Sequence, residues 1–98
     1  MYLIRDVFNT KPGKAKELVK KFKQAIPYME KQGMKGSKIM TDIASTYWTV
    51  IFESEAEDLS QFGKEVRGGT APDPEMAKIM EGYMDLLIGG HREIYLIE

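Results

Sequence analysis

The sequence predicts an α+β domain in which a four-stranded antiparallel sheet carries helices on one face only. Three observations lead there. Short runs alternate apolar and polar residues with the period of a strand, and longer runs repeat apolar residues at three- and four-residue steps, the period of a helix. These runs follow one another as strand, helix, strand, strand, helix, strand. At 98 residues the chain, residues 1–98, is expected to form a single domain, burying about 65% of its extended surface.

Residues 2–9 open the pattern, with Leu3, Arg5 and Val7 on one face and Tyr2, Ile4, Asp6 and Phe8 on the other. Lys11-Pro12-Gly13-Lys14 is turn and helix-entry chemistry, because proline fixes φ and glycine frees the backbone. Ala15, Leu18, Val19, Phe22, Ala25, Ile26 and Met29 then form one apolar stripe, and Gly33 suits a C-terminal cap. Pro27 sits inside this helix without a donor for the preceding turn, which predicts a kink or break near residues 23–27. Residues 35–43 and 46–53 read as two strands joined through Ala44-Ser45, the second apolar almost throughout and therefore central.

Ser54-Glu55-Ala56-Glu57 has the spacing of a capping box, in which serine and glutamate satisfy each other's backbone donors, and predicts a second helix carrying Leu59, Phe62 and Val66. The segment Gly68-Gly69-Thr70-Ala71-Pro72 ends it in a loop. Asp73-Pro74-Glu75 opens a further helix whose face is Met76, Ile79, Met80, Tyr83, Met84 and Leu87, closed by Gly89-Gly90. Residues 91–97 finish as a strand. This β-α-β-β-α-β order, its last helical element split by the loop, is the ferredoxin-like pattern. The sheet face away from the helices would carry several of Leu3, Val7, Ile39, Ile51 and Ile97, and an apolar face of that kind predicts a homodimer.

Charge and composition narrow the function classes. Residues 11–38 hold nine lysines against Glu17 and Glu30, and residues 53–98 hold eleven acids against four bases. The lysines read as a solvated helix face rather than a nucleic-acid footprint, which would bring arginine forks and a basic pI instead of about 5.9. No apolar run is long enough to span a bilayer, so no membrane partner is expected. The N-terminus lacks a basic start followed by an apolar stretch, which makes the cytoplasm the expected location. With no cysteine and a single histidine, no thiolate chemistry and no metal site are expected.

Tyr2-Leu3-Ile4-Arg5, the Lys11–Lys14 turn, Gly33 before the second strand, Tyr47-Trp48-Thr49-Val50 and Arg92-Glu93-Ile94-Tyr95 together resemble the small dimeric α+β barrel proteins. Within them, NIPSNAP-like and antibiotic-biosynthesis-monooxygenase-like domains are most similar. The resemblance covers the whole chain and implies a homodimer whose sheets pack face to face, with a cleft in each subunit between sheet and helices. That superfamily includes cofactor-independent oxygenases, haem-degrading enzymes, dismutases and decarboxylases. The haem-degrading branch uses an asparagine near the end of strand one with a histidine and tryptophan on a helix. Here Asp6 stands in the asparagine's place, and Trp48 and His91 fall on predicted strands, so haem degradation is not expected.

Asp6 and His91 are the candidate catalytic residues. If its face looks toward the helices, Asp6 enters an apolar cleft where a carboxylate can serve as general base; otherwise it is an aspartate bonded to nearby backbone. His91 follows Gly89-Gly90 and could reach the cleft mouth with an imidazole suited to proton transfer near neutral pH, or be a hydrogen-bonded surface residue. Trp48, Tyr83, Met80 and Met84 are candidate substrate contacts, since thioethers adapt to flat aromatic ligands, although the same stripe serves as helix core. Arg67 is a candidate lid residue for an anionic group, or a solvated arginine.

Two functional expectations follow. One is a cofactor-independent oxygenase or related enzyme acting on a small, flat, apolar molecule, with oxygen reacting directly with a substrate carbanion and no metal or flavin required. The other is a non-catalytic ligand-binding or stress-associated homodimer using the same cleft. A purely structural domain is a third.

Overall fold

A computed structural model describes residues 1–59 and 74–98. Its elements are strand β1 (Tyr2–Thr10), helix α1 (Ala15–Lys31), strand β2 (Lys35–Thr41), strand β3 (Thr49–Ala56), helix α2 (Pro74–Ile79), a 3-10 turn (Tyr83–Leu86) and strand β4 (Leu87–Leu96). The strands form one antiparallel sheet in the order β2-β3-β1-β4. This is the ferredoxin-like arrangement. Strand β1 is central: Asp6 lies between Phe52 and Arg92, and Val7 between Ile51 and His91.

Alternation along the strands sorts residues between the two faces. Ile4 and Phe8 of β1 and Val50, Phe52, Ser54 and Ala56 of β3 point toward α1, and all of these but the half-buried Phe8 are buried. Leu18, Phe22, Val50, Phe52 and Leu86 form the core cluster. Phe22 of α1 stands between Phe8 and Phe52, at 5.1 Å from each ring centroid and tilted by 43° and 55°. Tilted pairs at this spacing are favourable beyond their buried area. Ile39, expected on the opposite face, pairs with Phe52 and packs against the core; Met40 takes its place outside, opposite Ile51.

Helix α1 runs unbroken through Pro27, so the expected break does not occur. Leu18, Phe22 and Ala25, all buried, anchor it upstream of the proline, and a Schellman motif closes it downstream. There the amide of Gly33 donates to the carbonyl of Glu30 and that of Met34 to Met29, with Gly33 at φ 97°.

Three boundaries differ from the sequence reading. The two middle strands were expected over 35–43 and 46–53, but β2 stops at Thr41 and β3 runs from Thr49 to Ala56. The capping box at Ser54 therefore does not start a helix: Ser54 and Ala56 are buried strand residues whose backbones face Ile4 and Tyr2. Phe62, Val66, Arg67 and the 68–72 loop lie outside the described residues. The helix expected to reach Gly89-Gly90 ends at Ile79, and Gly82 at φ 78° turns the chain into the 3-10 turn. Strand β4 then begins at Leu87, so both glycines are strand residues opposite Asn9 and Phe8.

Gly90 is there because of close approach. A Cβ built on it falls 2.4 Å from the carbonyl oxygen of Val7, whereas one on Gly89 meets nothing within 4 Å. Gly90→Ala is expected to force β4 away from β1 and cost about 1–3 kcal/mol, while Gly89→Ala stays within about 0.5 kcal/mol. Urea unfolding of the two variants checks the contrast; equal midpoints would show that the strands do not come this close.

Candidate functional site

A cleft of about 290 Å³ opens between the helix-side face of the sheet and helices α1 and α2. Phe8, Phe22 and Phe52 supply an aromatic wall, Met29, Met34, Met76 and Met80 a thioether one, and Tyr83 closes one end. Two polar ties fix α2 over it. The Tyr28 hydroxyl of α1 donates to Glu75 Oε2 at 2.9 Å, and Lys21 Nζ donates to the carbonyls of Ile79 and Glu81 at 3.3 and 2.9 Å. A lysine ammonium is well matched to the unpaired carbonyls at a helix C-terminus.

One charged pair stands in this apolar setting. Asp6 and Arg92 are direct cross-strand neighbours, and the guanidinium grips the carboxylate at two points, Nε to Oδ1 and Nη2 to Oδ2, the latter at 3.0 Å. The Asp6 side chain is 16% exposed and that of Arg92 32%. A bidentate grip orients both groups and occupies both carboxylate oxygens. The pair also borders a groove of about 540 Å³ along the outer side of β4, lined by Met84, Ile88 and His91.

The expected site residues are thus divided. Asp6, Met80 and Tyr83 share the cleft, while Met84 and His91 line the outer groove, which has Asp6, Phe8 and Arg92 in common with the cleft. His91 lies opposite Val7, on the sheet face turned away from the helices, where Nε2 is 2.8 Å from Glu93 Oε2. Trp48 is remote from the cleft. It precedes β3 instead of lying in a strand, and with Tyr47 it lines a third groove against α1. Its φ of 60° is left-handed, a conformation costing a bulky residue about 1–3 kcal/mol. Its carbonyl is held by the amide of Thr10 at 2.9 Å and the Thr10 hydroxyl at 3.3 Å. Arg67 lies outside the described residues. Among the described residues, no group of three or more His, Cys, Asp or Glu is arranged to hold a metal, and no helix is long and apolar enough to cross a membrane.

The open sheet face carries ordered charge. Register places Lys38, Glu53, Arg5 and Glu93 in one row across all four strands, alternating in sign, beside a row of Met40, Ile51, Val7 and His91. Arg5 Nε donates to Glu53 Oε2 at 2.9 Å, and its Nη1 lies 3.9 Å from Glu93. Tyr95 donates to Glu93 Oε1 at 2.6 Å.

Over its whole length the chain superposes on an uncharacterised NIPSNAP-domain protein from Burkholderia xenovorans, covering 95% of that chain with a TM-score of 0.76 at 17% identity. The chain has the NIPSNAP-like fold. A NIPSNAP-family protein from Agrobacterium tumefaciens matches 99% of this chain and 92% of its own at TM-score 0.74 and 15% identity. An antibiotic biosynthesis monooxygenase matches 100% and 99% at TM-score 0.75 and 8% identity. No family model matches the sequence, and no curated protein does. Identities this low carry the NIPSNAP-like fold and nothing finer.

Sequence reasoning missed Arg92 as a site residue. Its signal was available in part: Arg92 has the parity of Ile94, and a lone arginine beside Gly89-Gly90 late in the chain could have been tested against Asp6 once strands one and four were paired.

Glu93 sits among donors, and the Tyr95 hydroxyl, then the His91 ring, hold its carboxyl below the usual glutamate range. The same hydrogen bond to Glu93 pushes the Tyr95 phenol above its ordinary value. The depressed Glu93 contributes stability above the unfolded carboxyl value that is lost as pH falls through the folded one; the raised Tyr95 contributes below about pH 10 and loses it as pH rises further. Tyr95→Phe is expected to move the Glu93 titration midpoint upward in carboxyl-carbon NMR. An unmoved midpoint would remove the phenol as the main donor.

Proposed function

We propose that the cleft binds a small, flat, largely apolar molecule bearing one acidic oxygen, and that the protein acts on it as a cofactor-independent oxygenase-like enzyme. The observation that carries this is the Asp6–Arg92 pair set among Phe8, Phe52 and Met80. An enolate or phenolate oxygen entering the cleft competes for the Arg92 guanidinium, which matches such an oxygen as it matches a carboxylate. The exchange frees Asp6 as general base for an adjacent C–H. The substrate carbanion passes one electron to molecular oxygen and recombines with it, giving a peroxide that takes up the Asp6 proton. Loss of water from the hydroperoxide leaves a carbonyl, so one methylene and one O₂ become one C=O and one H₂O. Likeness to the fold of an antibiotic biosynthesis monooxygenase supports the choice of reaction class.

The bidentate grip on Asp6 favours a second reading, a non-catalytic ligand-binding homodimer in which the pair anchors a ligand and no proton moves. Oxygen-electrode assays on a panel of flat hydroxyarenes separate the two. The enzymatic reading expects Asp6→Asn to lower turnover about 10²–10⁴-fold with binding retained, and Arg92→Met to weaken binding about tenfold or more. Turnover that survives Asp6→Asn sinks the proposed base; tight binding without oxygen uptake for any panel member supports the second reading.

We further propose a homodimer through the open face. A two-fold axis lays the row Lys38, Glu53, Arg5, Glu93 against its own reverse, bringing Glu93 to Lys38 and Arg5 to Glu53, so the face is complementary to itself. Native mass spectrometry is expected to give a species at twice 11.2 kDa, and Arg5→Glu, which puts like charges in succession, is expected to shift it to monomer. A monomeric wild-type chain overturns the proposal. The cytoplasm remains the proposed location.

A further inference from the structure

Outside the cleft, a groove of about 720 Å³ lies between the first half of α1 and the 42–48 connection. Two kinds of side chain meet in it. Lys16, Lys20 and Lys23 recur at i, i+4 and i+7 on one face of α1, all exposed, and none makes a hydrogen bond or ion pair among the described residues. Opposite them stand Tyr47, 83% exposed, and Trp48, 42% exposed. Nearby lysines are engaged: Lys14 pairs with Glu17 and Lys21 caps the end of α2.

The aromatic side is held, not merely present. Trp48 keeps its left-handed backbone because Thr10 takes its carbonyl. The residue after it is clamped as well: the Thr49 amide donates to Asp42 Oδ1 at 2.9 Å and its hydroxyl to the Thr46 carbonyl at 2.7 Å. Strain maintained by surrounding bonds presents a large ring at the groove rim instead of burying it.

We propose that this groove is a second binding site, independent of the cleft, for a planar aromatic anion of the mononucleotide type. The ring stacks on Trp48 and Tyr47, and the phosphate lies along the lysine row, where two or three ammonium groups reach a dianion. The Asp42 carboxylate, at the groove wall, accepts from a sugar hydroxyl or an exocyclic amine and disfavours ligands that are anionic throughout.

Trp48 is the sole tryptophan, so its fluorescence reports the site directly. Adenosine 5′-monophosphate is expected to quench it saturably, with affinity falling as salt rises, and adenosine and inorganic phosphate each to bind at least about tenfold more weakly. The triple change Lys16→Gln, Lys20→Gln, Lys23→Gln, at exposed positions that leave the fold intact, is expected to lose about tenfold or more and to flatten the salt dependence. Quenching linear in nucleotide, equal binding of inorganic phosphate, or undiminished binding by the triple variant overturns the proposal. So does a single-stranded oligonucleotide that binds far more tightly than the mononucleotide, because the occupant is then a strand.

Discussion

Strand β1 is paired on both sides along nearly its whole length, and its two-residue alternation governs everything built on the sheet. Phe8 on one face meets Phe22 and seats α1; Asp6, two residues earlier, is thereby committed to the cleft and to the register partner Arg92. Arg5, one residue away, is committed to the opposite face and to Glu53. A slip of one residue would exchange these roles, carrying Arg5 into the aromatic cleft and Phe8 into solvent. Cleft and open face are two readings of the same strand.

The charged pair illustrates how such a site is tolerated. A carboxylate among phenylalanines and methionines loses hydration, and Arg92 replaces it from the neighbouring strand with a planar fork aligned by the sheet's own hydrogen bonds. The two-point grip satisfies both carboxylate oxygens from within the sheet. The ties from Tyr28 and Lys21 to α2 hold the cleft roof by polar contacts at its margins and leave the apolar interior unfilled.

The order of elements was legible because β1, α1 and β3 carry clear periodicity, and the Gly33 cap was legible because its chemistry is local. What escaped was decided across the chain. Ser54 to Glu57 has an acceptable helix start, yet pairing with Tyr2 and Ile4 keeps Ser54 and Ala56 in the strand. Gly89-Gly90 resembles a helix cap, yet the approach of Val7 requires glycine at position 90 within a strand. Parity grouped Asp6 with Ile4 and Phe8 but left open which face the helices cover, and its partner lies 86 positions away on another strand. Trp48 was misplaced because a tryptophan with positive φ is not what local preference predicts. His91 was placed near the site by sequence adjacency, whereas parity turns its ring to the other side.

The register break in β2 bears on whether the sheet can grow by strand addition at its edge. Between Lys35 and Lys38 the pairing with β3 skips, with Gly36 at φ 62°, so the outer margin of the sheet is irregular as well as cationic. A second chain adding there as a fifth strand would lose its ladder within a few residues and meet lysine side chains as it did so. Growth of the sheet into fibrillar stacks by strand addition is blunted on that side.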